Sequence, residues 1–161
     1  MSVDAETFKD AMRRFATGVT VVTSLKDGEP RGVTVSAFAS VSLEPPSVLI
    51  CINREARSYL FISTSKIFCV NILCAEQEQL ARRFSGKLRE NQFQGVDYFV
   101  DQTGAAVLRG SLAHLDCEVT AEHHVASHSI FIGKVLSVAT GSGSPLGYFG
   151  GDFHDFGLQI S

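Results

Sequence analysis

Gly32-Val33-Thr34-Val35-Ser36-Ala37-Phe38-Ala39-Ser40-Val41-Ser42-Leu43-Glu44-Pro45-Pro46-Ser47-Val48-Leu49-Ile50-Cys51-Ile52-Asn53-Arg54 sets small hydroxyl residues between two apolar, strand-like runs. Thr34, Ser36, Ser40 and Ser42 offer donors and acceptors without bulk. Ala37 and Ala39 remove the side-chain volume that would keep a planar ring system away from the backbone. The same pattern also describes a strand edge whose hydroxyls face water. Pro45-Pro46 cannot sit in a central ladder, so the stretch divides there and residues 47–52 form the next strand.

Upstream, Asp4 can cap a helix in which Phe8, Ala11, Met12 and Phe15 recur at helical spacing, with Gly18 where the chain must leave it. Residues 19–23 are β-branched throughout, and Lys26-Asp27-Gly28-Glu29-Pro30 turns them into a second strand over 31–38. Downstream, the pattern predicts a short helix over 58–63 and a strand over 67–73. A helix over 75–84 follows, with Leu80, Ala81 and Phe84 on one face and Gly86 just beyond it. Residues 92–103 read as loop-rich. Two long β-type runs, 111–122 and 129–140, flank a polar turn and precede the loop Gly141-Ser142-Gly143-Ser144-Pro145. Many strands, few short helices and no regular β-α alternation predict a mainly β fold, a closed antiparallel barrel and not a doubly wound sheet. No G-x-G-x-x-G opens a helix, so a nicotinamide cofactor, if used, has no Rossmann pocket to sit in, which fits a transient reductant better than a resident one.

The 161 residues, 45% of them hydrophobic, are one domain's worth of chain, and 1–161 is expected to form a single domain. A formal charge of -3, from 14 basic and 17 acidic residues with no stripe of either sign, argues against nucleic-acid binding as the main role. The polar start lacks a basic segment leading into an apolar run, and no stretch approaches the ~18 apolar residues of a membrane span, so a cytoplasmic location is expected. Cys51, Cys69, Cys74 and Cys117 make no C-x-x-C pair and fit packing better than redox chemistry. His123, His124 and His128 invite a metal reading, but spacing of four aligns ligands on a helix and not across a strand turn, and no metal site is expected. A serine nucleophile is not supported, because no G-x-S-x-G turn is present. Arg57 and Ser58, at the start of the 58–63 helix, suit a phosphate: free N–H groups, a helix dipole, a guanidinium and a hydroxyl meet there.

The chain resembles the flavin reductase-like family, the small reductase partners of two-component flavin monooxygenases. The motifs that carry the likeness run from Phe15-Ala16-Thr17-Gly18-Val19-Thr20-Val21-Val22-Thr23 through 32–54, Phe68-Cys69-Val70-Asn71, Arg83-Phe84-Ser85-Gly86 and Ile130-Phe131-Ile132-Gly133-Lys134-Val135 to Tyr148-Phe149-Gly150-Gly151-Asp152. The resemblance implies a Greek-key, FMN-binding split β-barrel that dimerises with flavin near the interface. It implies an NAD(P)H:flavin oxidoreductase that reduces FMN or FAD and passes reduced flavin to a separate monooxygenase. By the same likeness Thr34, Val35, Ser36 and Ala37 run beside the isoalloxazine and ribityl, and Cys51, Ile52 and Asn53 form a second backbone rail. Ser40 and Ser42 belong to the same hydroxyl run. Arg83, Phe84 and Ser85 close over the flavin from another side, and Tyr148, Phe149 and Gly150 complete the pocket.

His128 matches a histidine that meets the nicotinamide, although Ala126 and Ser127 stand where the family carries Gly-Asp. The tail departs at Gly147 and at Gly150, where relatives often carry an Arg. With no charged residue evident for a 2′-phosphate, NADH is favoured over NADPH. Two alternatives stay open: a reductase that keeps its FMN and reduces a cobalt corrinoid or ferric chelate, and a flavin-binding module without turnover. In either principal reading the flavin carries the chemistry and the protein positions it.

Overall fold

The structure is a computed structural model and describes residues 2–86 and 90–157. Asp4 opens α1 (Ala5–Met12), its carboxylate accepting the Thr7 N–H at 2.9 Å. The helix stops well short of Gly18: Arg14 and Phe15 donate to Ala11 and Met12 in a tightened last turn, and Gly18 instead lies in β1 (Thr17–Gly18). β2 (Thr20–Lys26) and β3 (Glu29–Val35) form the expected hairpin around Asp27-Gly28, whose φ values of 53° and 80° are those of a type I′ turn.

The expected strand over 31–38 is in fact two. β3 ends at Val35, Ser36 accepts the Phe38 N–H at 3.0 Å across a tight bend, and β4 (Phe38–Leu43) begins. β5 (Pro46–Asn53) starts on the second proline, at the strand-end position where a missing N–H is tolerated. α2 (Arg57–Ser65) and β6 (Ile67–Ile72) follow. The predicted helix over 75–84 divides into a 3₁₀ turn (Ala75–Gln77) and α3 (Glu78–Ser85), because the Gln77 side chain accepts the Cys74 N–H at 3.1 Å and holds the first turn tight. β7 (Tyr98–Val100) and β8 (Ala106–Leu108) pair within and beyond the stretch read as loop. β9 (Ala113–Val125) and β10 (His128–Thr140) are the two long strands. β11 (Leu146–Phe149) and β12 (Asp152–Asp155) make a further hairpin around Gly150-Gly151, with φ of 64° and 88°.

Seven strands form one antiparallel sheet in the order β3-β2-β6-β9-β10-β5-β4. Its two edges, β3 and β4, are consecutive in the chain, so the sheet must curl until they meet at Ser36–Ala37. There the Cys51 N–H donates to the Ala37 carbonyl at 3.1 Å. The interior is filled by Val22, Val35, Ile50, Ile62, Phe68, Val70 and Phe131, all buried. Each such side chain contributes roughly 1.5–3 kcal/mol. The Phe68 ring occupies the space a Gly133 side chain would need, which explains glycine in the middle of β10. A second cluster of Val19, Val21, Leu73, Phe84 and Leu146 packs α3 onto the outer face. Cys117 is packed in the interior and Cys69 in a separate cluster with Ala105 and Val107, and burial pushes the Cys117 thiol up to about 12, far from the reactive thiolate range. Among the described residues no helix is long and apolar enough to cross a membrane.

Candidate active site

Two cavities flank the seam where the barrel closes. The larger, about 850 Å³, is lined by Met12, Phe15, Thr17, Ser36, Ala37, Phe38, Leu49 and Tyr148 among others. The second, about 690 Å³, is lined by Gly32, Val33, Ala56, Arg57, Ser58, Phe84, Ser85 and Gln92 among others. β3 runs between them: Gly32 and Val33 line the smaller cavity, and Ser36-Ala37, in the bend just past the strand's end, line the larger.

The larger cavity has apolar walls and a polar edge. Ser36 and Ala37 are exposed to it, and Tyr148 reaches it from β11, where it pairs with Thr17. The Thr17 Oγ1 is buried and has no hydrogen-bond partner among the described residues. A buried hydroxyl without a partner costs about 1–3 kcal/mol, so a polar atom supplied by a ligand would relieve it. Small residues along one edge, aromatic and aliphatic walls and an unsatisfied hydroxyl together fit a flat, largely apolar ring system with heteroatoms on its rim, as a flavin has.

The second cavity has the character of an anion site. α2 is preceded by Ala56, which supplies no side-chain cap. The Ala56 N–H goes to the Asn53 carbonyl at 3.0 Å and the Glu55 N–H to Asn53 Oδ1 at 2.9 Å, leaving the Arg57 and Ser58 N–H groups at the open end of a nine-residue helix. Arg57 is exposed and enters no ion pair among the described residues, whereas Ser58 is only 6% exposed.

The remaining predicted residues separate into distinct roles. Thr34 Oγ1 donates to the Ala81 carbonyl at 2.6 Å and so fastens β3 to α3. Val35 and Ile52 point into the barrel interior, so only their backbones are available to a ligand. Cys51 is half-buried, and burial raises its thiol pKa. Asn53 shapes the turn into α2. The Arg83 guanidinium donates to the Gln92 carbonyl at 2.7 Å and the Gln94 carbonyl at 2.6 Å and so clamps the 91–94 loop. Phe84 is buried with its ring against Gly32, and the Ser85 hydroxyl donates to the Arg82 carbonyl at 2.9 Å.

Ser40 and Ser42 lie on β4 and line neither cavity, Ser42 accepting the Glu44 N–H at 3.2 Å in the turn to β5. Phe149 is 43% exposed beside His154, and Gly150 serves the hairpin, its N–H donating to the Arg13 carbonyl at 2.9 Å. His128 opens β10, exposed, paired with Asn53 and with its Nδ1 2.9 Å from Ser127 Oγ; it too lines neither cavity. Ala126 holds the left-handed turn before it at φ 49°, a conformation that glycine adopts at less cost.

Three residues that sequence reasoning passed over matter here: Thr17, Gln92 and Glu122. Burial alone would raise the Glu122 pKa, but hydrogen bonds with Tyr59, Ser129 and His124 outweigh it and hold the carboxyl below its ordinary range.

A split antiparallel barrel with a two-part groove along its seam defines a flavin-binding protein, and comparison with known proteins agrees. Residues 12–157 match the model of the flavin reductase like domain. The chain is 39% identical over 138 residues to the reductase subunit HsaB of a flavin-dependent monooxygenase from Rhodococcus jostii, covering 86% of this chain and 70% of that one. It is 36% identical to the FMN reductase (NADH) SmoA of Agrobacterium fabrum, over 97% of this chain and 88% of that one. The structure of the NADH:FAD oxidoreductase SgcE6 from Streptomyces globisporus, in complex with NAD and FAD fragments, superposes with a TM-score of 0.89 at 35% identity, covering 97% of this chain and 96% of that one. The chain belongs to the flavin reductase-like family.

Proposed function

We propose that this chain, acting as one domain over 1–161 and as a homodimer in the cytoplasm, oxidises NADH, reduces FMN or FAD, and releases the reduced flavin to a separate monooxygenase. The observation that carries the reading is the groove itself, in which β3 links a ring-sized apolar cavity to the open start of α2. Flavin supplies the hydride-accepting ring when bound.

The chain's own residues bind and orient. The backbone of Ser36-Ala37, with Cys51 across the seam, lies along the ring edge. Thr17 offers its hydroxyl, and Phe38, Leu49 and Tyr148 exclude water. Arg57, Ser58 and the first-turn N–H groups of α2 hold the phosphate. His128 stands two strand positions from Ile130, the partner of Cys51, and orients the nicotinamide as it arrives from solvent. The basic side chains that line the larger cavity, Lys9 and Arg13, are each paired at 2.9 Å, with Glu6 and Asp10, which supports NADH over a nucleotide carrying a 2′-phosphate. Dimerisation rests on α1 and the turn after it: the helix has no buried residue, Phe8 is 60% exposed, and Met12 and Phe15, at 50% and 69% exposure, line the larger cavity.

Steady-state oxidation of NADH and NADPH with riboflavin, FMN and FAD tests the reading. NADH oxidation dependent on added flavin, with flavin lost on dialysis, is expected. Flavin binding without NADH oxidation would reduce the chain to a binding module. FMN retained through dialysis would point to a resident cofactor serving another acceptor.

A further inference from the structure

We propose that Glu122 is a positioning residue for the phosphate end of the flavin groove, acting through Tyr59 and Arg54 on the first turn of α2. The proposal rests on the assignment of Arg57 and Ser58 to the flavin phosphate. Glu122 projects from β9 beneath α2 with 17% of its side chain exposed. One oxygen, Oε1, accepts from Tyr59 Oη at 2.7 Å and Ser129 Oγ at 3.0 Å and meets His124 Nε2 at 3.0 Å, while Oε2 lies 3.6 Å from Lys66 Nζ. Tyr59 is in the first turn of α2 and Lys66 is its C-cap, so a single carboxylate ties down both ends of the helix.

The network continues into the approach to the helix. His124 Nδ1 is 3.4 Å from an Arg54 guanidinium nitrogen. A second Arg54 nitrogen donates to the Ala126 carbonyl at 2.6 Å, and the Arg54 N–H donates to the Ser127 carbonyl at 2.9 Å. Thus the turn that delivers Arg57 is pinned to the β9–β10 hairpin from both sides. The use for such a device follows from Ala56: Asn53 holds the turn that precedes the helix, but Ala56 gives the first-turn N–H groups no side-chain cap, so their orientation draws on more distant contacts as well. A carboxylate suits the task because it only accepts and can serve several donors on two oxygens. In the isosteric amide the oxygen that takes the place of Oε1 has lost its charge, and the NH₂ in the place of Oε2 faces the Lys66 ammonium, which also donates.

The test measures KM and kcat with FMN and with riboflavin for wild type, Glu122→Gln, Tyr59→Phe and Arg57→Ala. Tyr59→Phe is the milder lesion and covers the possibility that Glu122→Gln folds poorly. Thermal melts establish that each variant is folded. Both network variants are expected to raise KM for FMN about five- to tenfold with a smaller change in kcat, and to raise KM for riboflavin less than twofold, because only FMN uses the phosphate site. If Arg57→Ala discriminates between the flavins but the folded network variants do not, the positioning role is overturned and the phosphate site stands. If Arg57→Ala treats the two flavins alike, the phosphate assignment falls and takes this proposal with it.

Discussion

Gln92 satisfies both backbone groups of Gly32: its Oε1 accepts the Gly32 N–H at 3.0 Å and its Nε2 donates to the Gly32 carbonyl at 2.8 Å. One side chain thus stands in for the missing strand neighbour on the open edge of β3, at the split in the barrel. Gln92 is 5% exposed, so these bonds form away from bulk water.

Replacing Gln92 by Leu is expected to leave that edge unpaired at a cost of about 1–3 kcal/mol. For a chain of this size that corresponds to a fall in Tm of roughly 2–4 °C per kcal/mol, measurable by calorimetry. An unchanged Tm would show that water replaces the side chain without loss.

Ala37→Leu should weaken flavin binding about tenfold or more while the protein stays folded, because the added side chain fills the closest approach of the ring to the backbone. Quenching of flavin fluorescence measures it. Equal affinity would remove Ser36-Ala37 from the site.

On the proposed phosphate site, Arg57→Ala removes a charge-assisted contact of roughly 1.5–3 kcal/mol, or about ten- to a hundredfold in affinity. FMN and FAD should lose it and riboflavin should not. Titrations with all three flavins decide the matter, and parallel losses would assign Arg57 to folding.

His128→Ala should slow flavin reduction or raise KM for NADH while flavin affinity holds. Rapid-mixing traces of flavin bleaching give the readout, with dithionite reduction as the control. Traces that superimpose on wild type at every NADH concentration would return His128 to a surface role and move attention to Tyr148.

Asp101 gives a pH prediction. Hydrogen bonds from Ser137 and His114 hold its carboxyl below the ordinary value, tying the β7 hairpin to β9 and β10. A depressed folded pKa means stability that is fully present above the unfolded value of about 3.9 and is lost as pH falls through the folded one. The Tm gap between wild type and Asp101→Asn should therefore be constant at neutral pH and close as the solution is acidified below about pH 4. A gap independent of pH would exclude ionisation as its cause.

The barrel was legible where periodicity and turn chemistry agreed. The β-branched run 19–23 with Asp27-Gly28 announced its hairpin, and the long runs before and after Ala126-Ser127 announced theirs. β4 was hidden because the bend at Ser36-Ala37 uses neither glycine nor proline. β7 and β8 were hidden because three-residue strands are too short to show alternation. Within the site, Arg57 was visible as a cation at a helix start. The bonds of Arg83 to the Gln92 and Gln94 carbonyls were not legible, because a guanidinium near a helix end looks the same in sequence whatever carbonyls it meets. Gln92 gave no signal, since its partner lies 60 residues away in the chain. The tail's departure from the family pattern at Gly147 has a packing cause: the Phe156 ring fills the space where a side chain would stand.

The uncovered face of α1 makes the larger cavity's rim a matter of mass action. Phe8, Met12 and Phe15 are exposed in a lone chain, yet Met12 and Phe15 wall the cavity proposed for the ring. On the proposed homodimer, specific activity should therefore fall on dilution through its dissociation range, and substrate flavin, by bridging rim and seam, should shift that range to lower protein concentration.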